Sequence, residues 1–321
     1  MAEPLLAIRD LRTYFISKDA EVHAVDGIDI DVQRGQIVCI VGESGCGKSM
    51  TSLSIMRLVP KPHGKIVTGQ IIFDGEDLLQ LKDAKMADVR GNDISMIFQE
   101  PMTALNPVLT IGEQIGEVLI RHRGLNKRQA LEQSIEILKF VGVPRANEII
   151  REYPHQLSGG LRQRVMIAMA MVCKPKLLIA DEPTTALDVT IQAQVLELMK
   201  KMREETGTAI ILITHDLGVV ADMADHVVVM YAGQVVESVH ADVIFDTPKH
   251  PYTRALLDSI PSLEEEKDVL YSIPGTVPNA ANFPQGCRFA QRCPLAQDSC
   301  FATMPELREV EKGHFVRCDL I

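Results

Sequence analysis

The apolar positions change period along the chain. From residue 6 to about 40 they fall in short alternating stretches, Leu6-Ala-Ile, His23-Ala-Val and Gly27-Ile-Asp-Ile-Asp-Val, which predict strands suited to an antiparallel sheet. Ile37-Val-Cys-Ile-Val41 breaks that alternation: it is apolar on both faces and runs at once into glycines and then a helical pattern from Met50 to Leu58. A strand buried on both sides that feeds a loop and a helix begins a parallel α/β core. Lys176-Leu-Leu-Ile-Ala180 and Ala209-Ile-Ile-Leu-Ile-Thr214 repeat the run, each ending against a polar residue, where such sheets hold ligands. Between these strands, Ile111 to Arg121 and Lys127 to Val141 carry helical periodicity with charged faces, which predicts a helical insertion over about 105–155. Beyond about residue 246, prolines at 248, 251, 261, 274, 278, 284 and 294 interrupt nearly every helical candidate. That stretch is expected to be a loop-rich appendage rather than more of the sheet.

Composition narrows the class. At 321 residues, 46% hydrophobic and 24% charged, the chain is long and apolar enough to bury one large or two ordinary cores. The longest apolar run, from Val165 to Cys173, is far shorter than the roughly 18 residues of a membrane span. Met1-Ala-Glu-Pro-Leu-Leu-Ala-Ile-Arg shows no secretory signal pattern, so the cytoplasm is the expected compartment. A net charge of -10 argues against a duplex nucleic acid partner.

Two segments carry phosphate chemistry. Gly42-Glu43-Ser44-Gly45-Cys46-Gly47-Lys48-Ser49 fits the G-x-x-x-x-G-K-[ST] loop in its proper place between an apolar strand and a helix that opens near Met50. There the glycines let backbone N–H groups face phosphate, Lys48 reaches the β/γ oxygens and Ser49 ligates Mg²⁺. Leu177-Leu-Ile-Ala-Asp181-Glu182 ends an apolar strand in two carboxylates, one to orient Mg²⁺ and one to polarise water.

Leu157-Ser158-Gly159-Gly160-Leu-Arg-Gln163-Arg164 lies just upstream of that strand, and with it the chain resembles the ATP-binding cassette (ABC) ATPases. Gln99 in Ile97-Phe98-Gln99 resembles the family's Q-loop, Thr185-Ala-Leu-Asp188 its D-loop, and His215 in Thr214-His-Asp its H-loop. The resemblance implies an α/β P-loop fold with a parallel core sheet, an antiparallel β subdomain and a helical subdomain over about 100–160. Serine and glycine donors at a helix N-terminus form a second anion site. In the family this meets the phosphate loop across a head-to-tail dimer, so Ser158, Gly159 and Gly160 are implied to contact the γ-phosphate on the partner cassette. By the same resemblance Glu182 is the general base, His215 and Gln99 sense the γ-phosphate and Mg²⁺, and Ser49, Gln99 and Asp181 surround Mg²⁺. Residues 42–50 bind ATP, and Tyr14 and Phe15 compete to stack on adenine, with Phe15 favoured.

Phe98-Gln-Glu-Pro-Met-Thr-Ala-Leu-Asn-Pro107, Tyr153-Pro-His-Gln-Leu-Ser-Gly-Gly160 and the run from Asp181 to Gln194 resemble the ATPase subunits of bacterial dipeptide and oligopeptide permeases. His250-Pro-Tyr-Thr-Arg-Ala-Leu256, with the proline-rich tail after it, is similar to that family's C-terminal region. The resemblance implies an ATPase domain over 1–250 and a C-terminal extension over 251–321. It implies a peptide importer with a paralogous ATPase subunit, two membrane permeases and an extracytoplasmic binding protein, at the cytoplasmic face of the inner membrane. The permeases would be gripped through residues 99–155. Nickel and glutathione importers share the motifs. A soluble ABC ATPase acting on ribosomes or nucleic acid would be expected to show a duplicated cassette or long coiled-coil or basic insertions, and a cluster-sensing regulator would rest on the tail alone.

The tail carries Cys287-x₅-Cys293-x₆-Cys300-x₁₇-Cys318, a spacing that matches neither zinc ribbons nor the ferredoxin run and leaves Zn²⁺ and an iron–sulfur cluster both open. The family resemblance implies a [4Fe–4S] cluster, with Zn²⁺ and unliganded thiols as alternatives; His314 reads as surface or structural, with a place as an alternative ligand four residues before Cys318. His23, His63 and His155 read as surface or structural, and Cys39 and Cys173 as core. Cys46, at a helix N-terminus, is expected to have a lowered pKa.

Overall fold

The computed structural model describes residues 3–99, 104–185, 188–259 and 272–321. Glu100 to Thr103, Ala186, Leu187 and Pro261, all named above, lie outside the described residues. In chain order the strands are β1 Leu6–Ile16, β2 Glu21–Val32, β3 Ile37–Val41, β4 Gly64–Phe73, β5 Glu76–Asp77, β6 Ile94–Ile97, β7 Leu177–Asp181, β8 Ala209–Ile213, β9 His226–Tyr231, β10 Gln234–His240, β11 Arg308–Glu311 and β12 His314–Val316. The helices are α1 Lys48–Ile55, α2 Asp83–Val89, α3 Ile111–Arg123, α4 Lys127–Phe140, α5 Ala146–Ile149, α6 Gly159–Met171, α7 Val189–Thr206, α8 Leu217–Met223, α9 Ala241–Asp246, α10 Pro251–Asp258 and α11 Asp298–Ala302. The chain divides into two compact units, the first formed by Met1–Gln33, Ile37–Leu79 and Ile213–Ile321, the second by Arg34–Gln36 and Gln80–Leu212.

The first unit holds two strand sets. One is antiparallel, in the order β2-β1-β4-β5, with Leu6 opposite Val32 and Ile16 opposite Glu21. The other is mixed, in the order β3-β9-β10-β12-β11. There β3 runs parallel to β9, and β10 and β12 continue antiparallel. All five β3 residues are buried, as a strand covered on both faces requires. Helix α1 buries Thr51, Ser52 and Ser54, and two of these hydroxyls bond back to the helix itself: Thr51 Oγ1 donates to the Gly47 carbonyl at 3.0 Å and Ser54 Oγ to Met50 at 2.7 Å.

The tail departs from the loop expected of it. The hairpin β11–β12 joins the sheet through β10, with Glu237 opposite Val316. A buried pair secures it: His314 Nε2 lies 2.7 Å from Glu237 Oε1, and Glu237 also accepts the backbone N–H groups of Lys249 and His250. A three-residue strand is too short to show a period, so its sheet membership is decided by this distant partner.

The second unit orders its strands β8-β7-β6, with β6 and β7 parallel and Ile94 opposite Leu177. Its helices have strong local stop and start signals. Thr110 and Glu113 form a reciprocal capping box on α3, as do Asn126 and Gln129 on α4, and Gly124 ends α3 in the left-handed region at φ 65°. Helix α6 is buried on most sides by Val165, Met166, Ile167, Ala168 and Met171.

Candidate nucleotide site

Each unit carries part of the chemistry. In the first unit the phosphate loop leaves β3 at Gly42 and enters α1 at Lys48, with Gly42, Gly45 and Gly47 all at positive φ. Ser44 and Gly45 form the exposed tip, while Lys48 is buried and its Nζ donates to the carbonyls of Gly42 at 2.7 Å and Glu43 at 3.1 Å. The Lys48 ammonium is thus held against its own loop. His215 is exposed after β8 and shares with Gly42, Glu43, Asp216 and Leu256 a cavity of about 340 Å³.

Cys46 differs from the expectation. Its side chain is fully buried, and burial pushes the thiol's pKa up despite Lys48 and the local amides, which pull it down. Desolvation outweighs the helix N-terminus because the sulfur faces the interior, not the anion-binding mouth.

Tyr14 is committed elsewhere. Its hydroxyl donates to Asp26 at 2.5 Å and its ring stacks on His23 with centroids 4.0 Å apart, which leaves half-buried Phe15 as the aromatic not fixed in this network. Asp26 is a hub: burial opposes its charge, but hydrogen bonds from Tyr14 and Arg288 and the charges of Arg288 and Arg12 hold it below the usual carboxylate range.

In the second unit Asp181 closes β7 and is buried, and Glu182 follows it at φ +47°. Glu182 Oε2 accepts from Gln99 Nε2 at 3.0 Å and from Thr185 Oγ1 at 2.9 Å, so the glutamine and the glutamate picked from sequence are brought together. Ser158 caps α6, accepting from the Leu161 N–H at 3.4 Å. Ser158 and Gly159 are exposed and, with Gly160, Arg164 and Asp188, line a cavity of about 460 Å³. The donors of the helix N-terminus therefore face open space, as an anion site requires.

Three residues that sequence reasoning left without a role support the site. Gln163 is fully buried on α6 and donates to the Pro183 carbonyl, tying the signature helix to the turn after Glu182. In the first unit Tyr252 Oη accepts the Glu43 N–H at 2.9 Å, and Arg292 pairs with the Glu43 carboxylate. Gln163 was in view as part of the quoted signature. Tyr252 and Arg292 act on a loop more than 200 residues away, and no local pattern announces them.

Burial, foremost, pushes the thiols of Cys287, Cys293 and Cys318 up, and the charges of neighbouring tail cysteines act in the same direction, while the Cys287 N–H donates to the Cys300 carbonyl at 2.7 Å. The backbone of Phe289, Leu295 and Leu320, each two residues on, hydrogen-bonds Cys287, Cys293 and Cys318 and favours their thiolates. That donor set suits a soft metal group in its chemistry. Among the described residues no group of three or more His, Cys, Asp or Glu side chains is placed to hold a metal ion. His314 is paired through its Nε2 with Glu237. Cys39 and Cys173 are core residues.

A Gly-rich loop between an interior strand and a helix, with a strand-end carboxylate pair, defines a nucleoside-triphosphate hydrolase of the phosphate-loop class. Residues 25–185 match the family described as ABC transporter, and residues 236–300 match the oligopeptide/dipeptide transporter C-terminal region. The chain is 56% identical to the oligopeptide transport ATP-binding protein AppD of Bacillus subtilis (strain 168), over 98% of this chain and 96% of that one. It is 49% identical to the dipeptide transport ATP-binding protein DppD of the same organism, over 98% and 94%. Among solved structures it resembles the dimeric ATP-binding cassette MJ0796 bound to ADP and Pi, with a TM-score of 0.66 and 27% identity over 74% of this chain and 98% of that one. The chain belongs to the ABC transporter family, as an ATP-binding subunit. No helix among the described residues is long and apolar enough to cross a membrane.

Proposed function

We propose that this chain is the ATP-hydrolysing subunit of an importer for di- and oligopeptides. The observation that carries the reading is the near full-length similarity to peptide transport ATP-binding proteins, tail included, together with an unbroken set of ATPase residues. Lys48 and the loop amides of residues 42–50 bind the phosphates, and Ser49, Gln99 and Asp181 surround Mg²⁺. Glu182 takes the proton of the attacking water, and His215 meets the γ-phosphate. Ser158, Gly159 and Gly160 act on the nucleotide of a second cassette, a paralogous subunit, so that ATP joins the two. Phe15 stacks on adenine. The domains divide at 250, with residues 100–160 as the helical subdomain.

The subunit works peripherally at the cytoplasmic face of the inner membrane, against two permeases served by an extracytoplasmic binding protein. A largely apolar groove of about 520 Å³ between α3 and α4, lined by Gly112, Gly116, Ile120, Ala130 and Leu131, supports a seat for a short permease helix. Ile120 and Leu131 are both more than 40% exposed along it. Co-expression with the permeases and reconstitution with the binding protein should give ATP-dependent peptide uptake. Uptake of nickel or glutathione with none of peptide would overturn the substrate, and ATPase activity that never associates with a permease would overturn the transporter role.

In the tail, Cys287, Cys293, Cys300 and Cys318 would hold a [4Fe–4S] cluster, which when bound supplies a covalent staple to a segment with little core of its own. Anaerobic purification with about four iron and four sulfide per chain is expected. Zinc, or no metal at all, would refute the cluster and leave the ATPase assignment untouched.

A further inference from the structure

Glu43 is an acid at the entrance to a loop that must bind a polyanion, and the structure shows what neutralises it. The Arg292 side chain is 4% exposed, and its two terminal nitrogens grip the Glu43 carboxylate at 2.6 and 3.0 Å. The rest of the guanidinium is saturated: Nε donates to the Pro274 carbonyl at 2.9 Å, Nη1 to Tyr231 Oη and Nη2 to the Ile273 carbonyl, both at 3.3 Å. The planar fork therefore has one orientation. Glu43 is held a second time through its backbone N–H, which donates to Tyr252 Oη, and a third through its carbonyl, which accepts from Lys48. Arg292 and Tyr252 both belong to the segment that follows the cassette match.

We propose that Arg292 is a positioning residue for ATP, by which the C-terminal extension clamps the phosphate loop and cancels the charge of Glu43. An unpaired carboxylate beside the phosphates would repel them through a partly desolvated path, where charges are felt more strongly than in water. The extension is thus part of the nucleotide site as well as a family-specific appendage. The inference rests on the ATPase assignment and is independent of the transported solute.

The test is an ATP titration of the full-length chain carrying Arg292→Met, Glu43→Gln, or both, alongside steady-state kinetics. Arg292→Met should raise the Kd and KM for ATP about tenfold with kcat changed less than about twofold, and the defect should shrink with added salt. Adding Glu43→Gln to Arg292→Met should restore most of the affinity lost by Arg292→Met, because no charge is then left unpaired. Arg292→Lys keeps the charge without the fork and is the second reading should the methionine variant fail to fold: a rise of about threefold, cancelled by Glu43→Gln, is expected. ATP affinity unchanged in the folded Arg292 variants, or a double variant no tighter than the single, would overturn the proposal. A transporter that fails to move peptide while showing this pattern would count against the substrate and not against the clamp.

Discussion

Gln99 donates its side-chain amide to Glu182, with 3.0 Å between Nε2 and Oε2, and Thr185 holds the same oxygen from another side at 2.9 Å. Glu182 reaches this position from a left-handed backbone conformation, φ +47°, which is unfavourable for a residue with a side chain and is characteristic of functional sites. In the function proposed above, this carboxylate, directly after the buried Asp181, takes the proton of the attacking water. Glu182→Gln keeps the shape and the amide contacts but removes the base. Phosphate release should fall at least about 100-fold while ATP still binds. Turnover within tenfold of the parent would remove Glu182 from that role.

The thiol of Cys46 offers a check on the loop's interior. Only the thiolate is nucleophilic, and burial raises this thiol's pKa more than Lys48 lowers it, so at neutral pH it is protonated and sheltered. Alkylation of Cys46 in the native chain should be at least about 100-fold slower than in denaturant, should accelerate as pH rises toward and beyond 9, and should be nearly the same with and without ATP. Peptide mapping after timed labelling measures it. Fast labelling at pH 7 would mean that the sulfur faces the phosphate mouth after all.

What was legible in the sequence was local. The loop from Gly42 to Ser49 declares itself through strand, glycines and Lys-Ser, and the helices at Ile111–Arg123 and Lys127–Phe140 fall within two residues of their periodic patterns because their capping boxes lie at the same places. The failures share a cause as well. Arg292 and Glu43 are 249 positions apart, and no period or spacing links them. Strand β12 is three residues long and is fixed by Glu237 across the sheet, whereas the prolines of the tail before it suggested loop. With Cys46 the rule for helix N-termini was sound, but the direction in which the side chain points, which decides burial, is a tertiary property.

Two buried histidines set an acid limit on the first unit. Burial, foremost, pushes His250 down to about 3, against a hydrogen bond with the Arg317 backbone that favours the charged ring, and His226 to about 4, with the charge of His240 acting in the same direction as burial. His250 uses Nδ1 to accept the Tyr252 N–H at 3.0 Å, and His226 Nε2 lies 2.8 Å from Ser238 Oγ. In the unfolded chain both titrate near 6.5, so acid protonates the unfolded state first. Their contribution to stability is complete above about pH 6.5 and declines as pH falls through 5 toward 4, by up to about 1.4 kcal/mol per pH unit for each group. Urea midpoints measured from pH 7.5 to 4.5 should drop over that window, and His226→Gln should flatten the drop by about half. Identical pH profiles for the two proteins would contradict the assignment to His226.

Two glycines of the phosphate loop separate backbone strain from steric fit. Gly45 and Gly47 both sit at positive φ, 79° and 106°, so alanine is unfavourable at either. A Cβ on Gly45 would meet nothing within 4 Å, whereas one on Gly47 would lie 2.4 Å from the carbonyl oxygen of Ala24, in strand β2. A backbone oxygen inside the antiparallel sheet cannot step aside as a flexible side chain can, and Gly47 is also the residue from which α1 starts. Gly45→Ala should therefore lower stability by about 1–2 kcal/mol with ATP binding retained, the strain of the backbone alone. Gly47→Ala should cost well over about 3 kcal/mol or abolish ATP binding, since relief requires moving either the loop or the strand. Denaturant unfolding and ATP titration of the two variants, side by side, measure the difference. Equal effects would show that the loop does not depend on this close approach to β2.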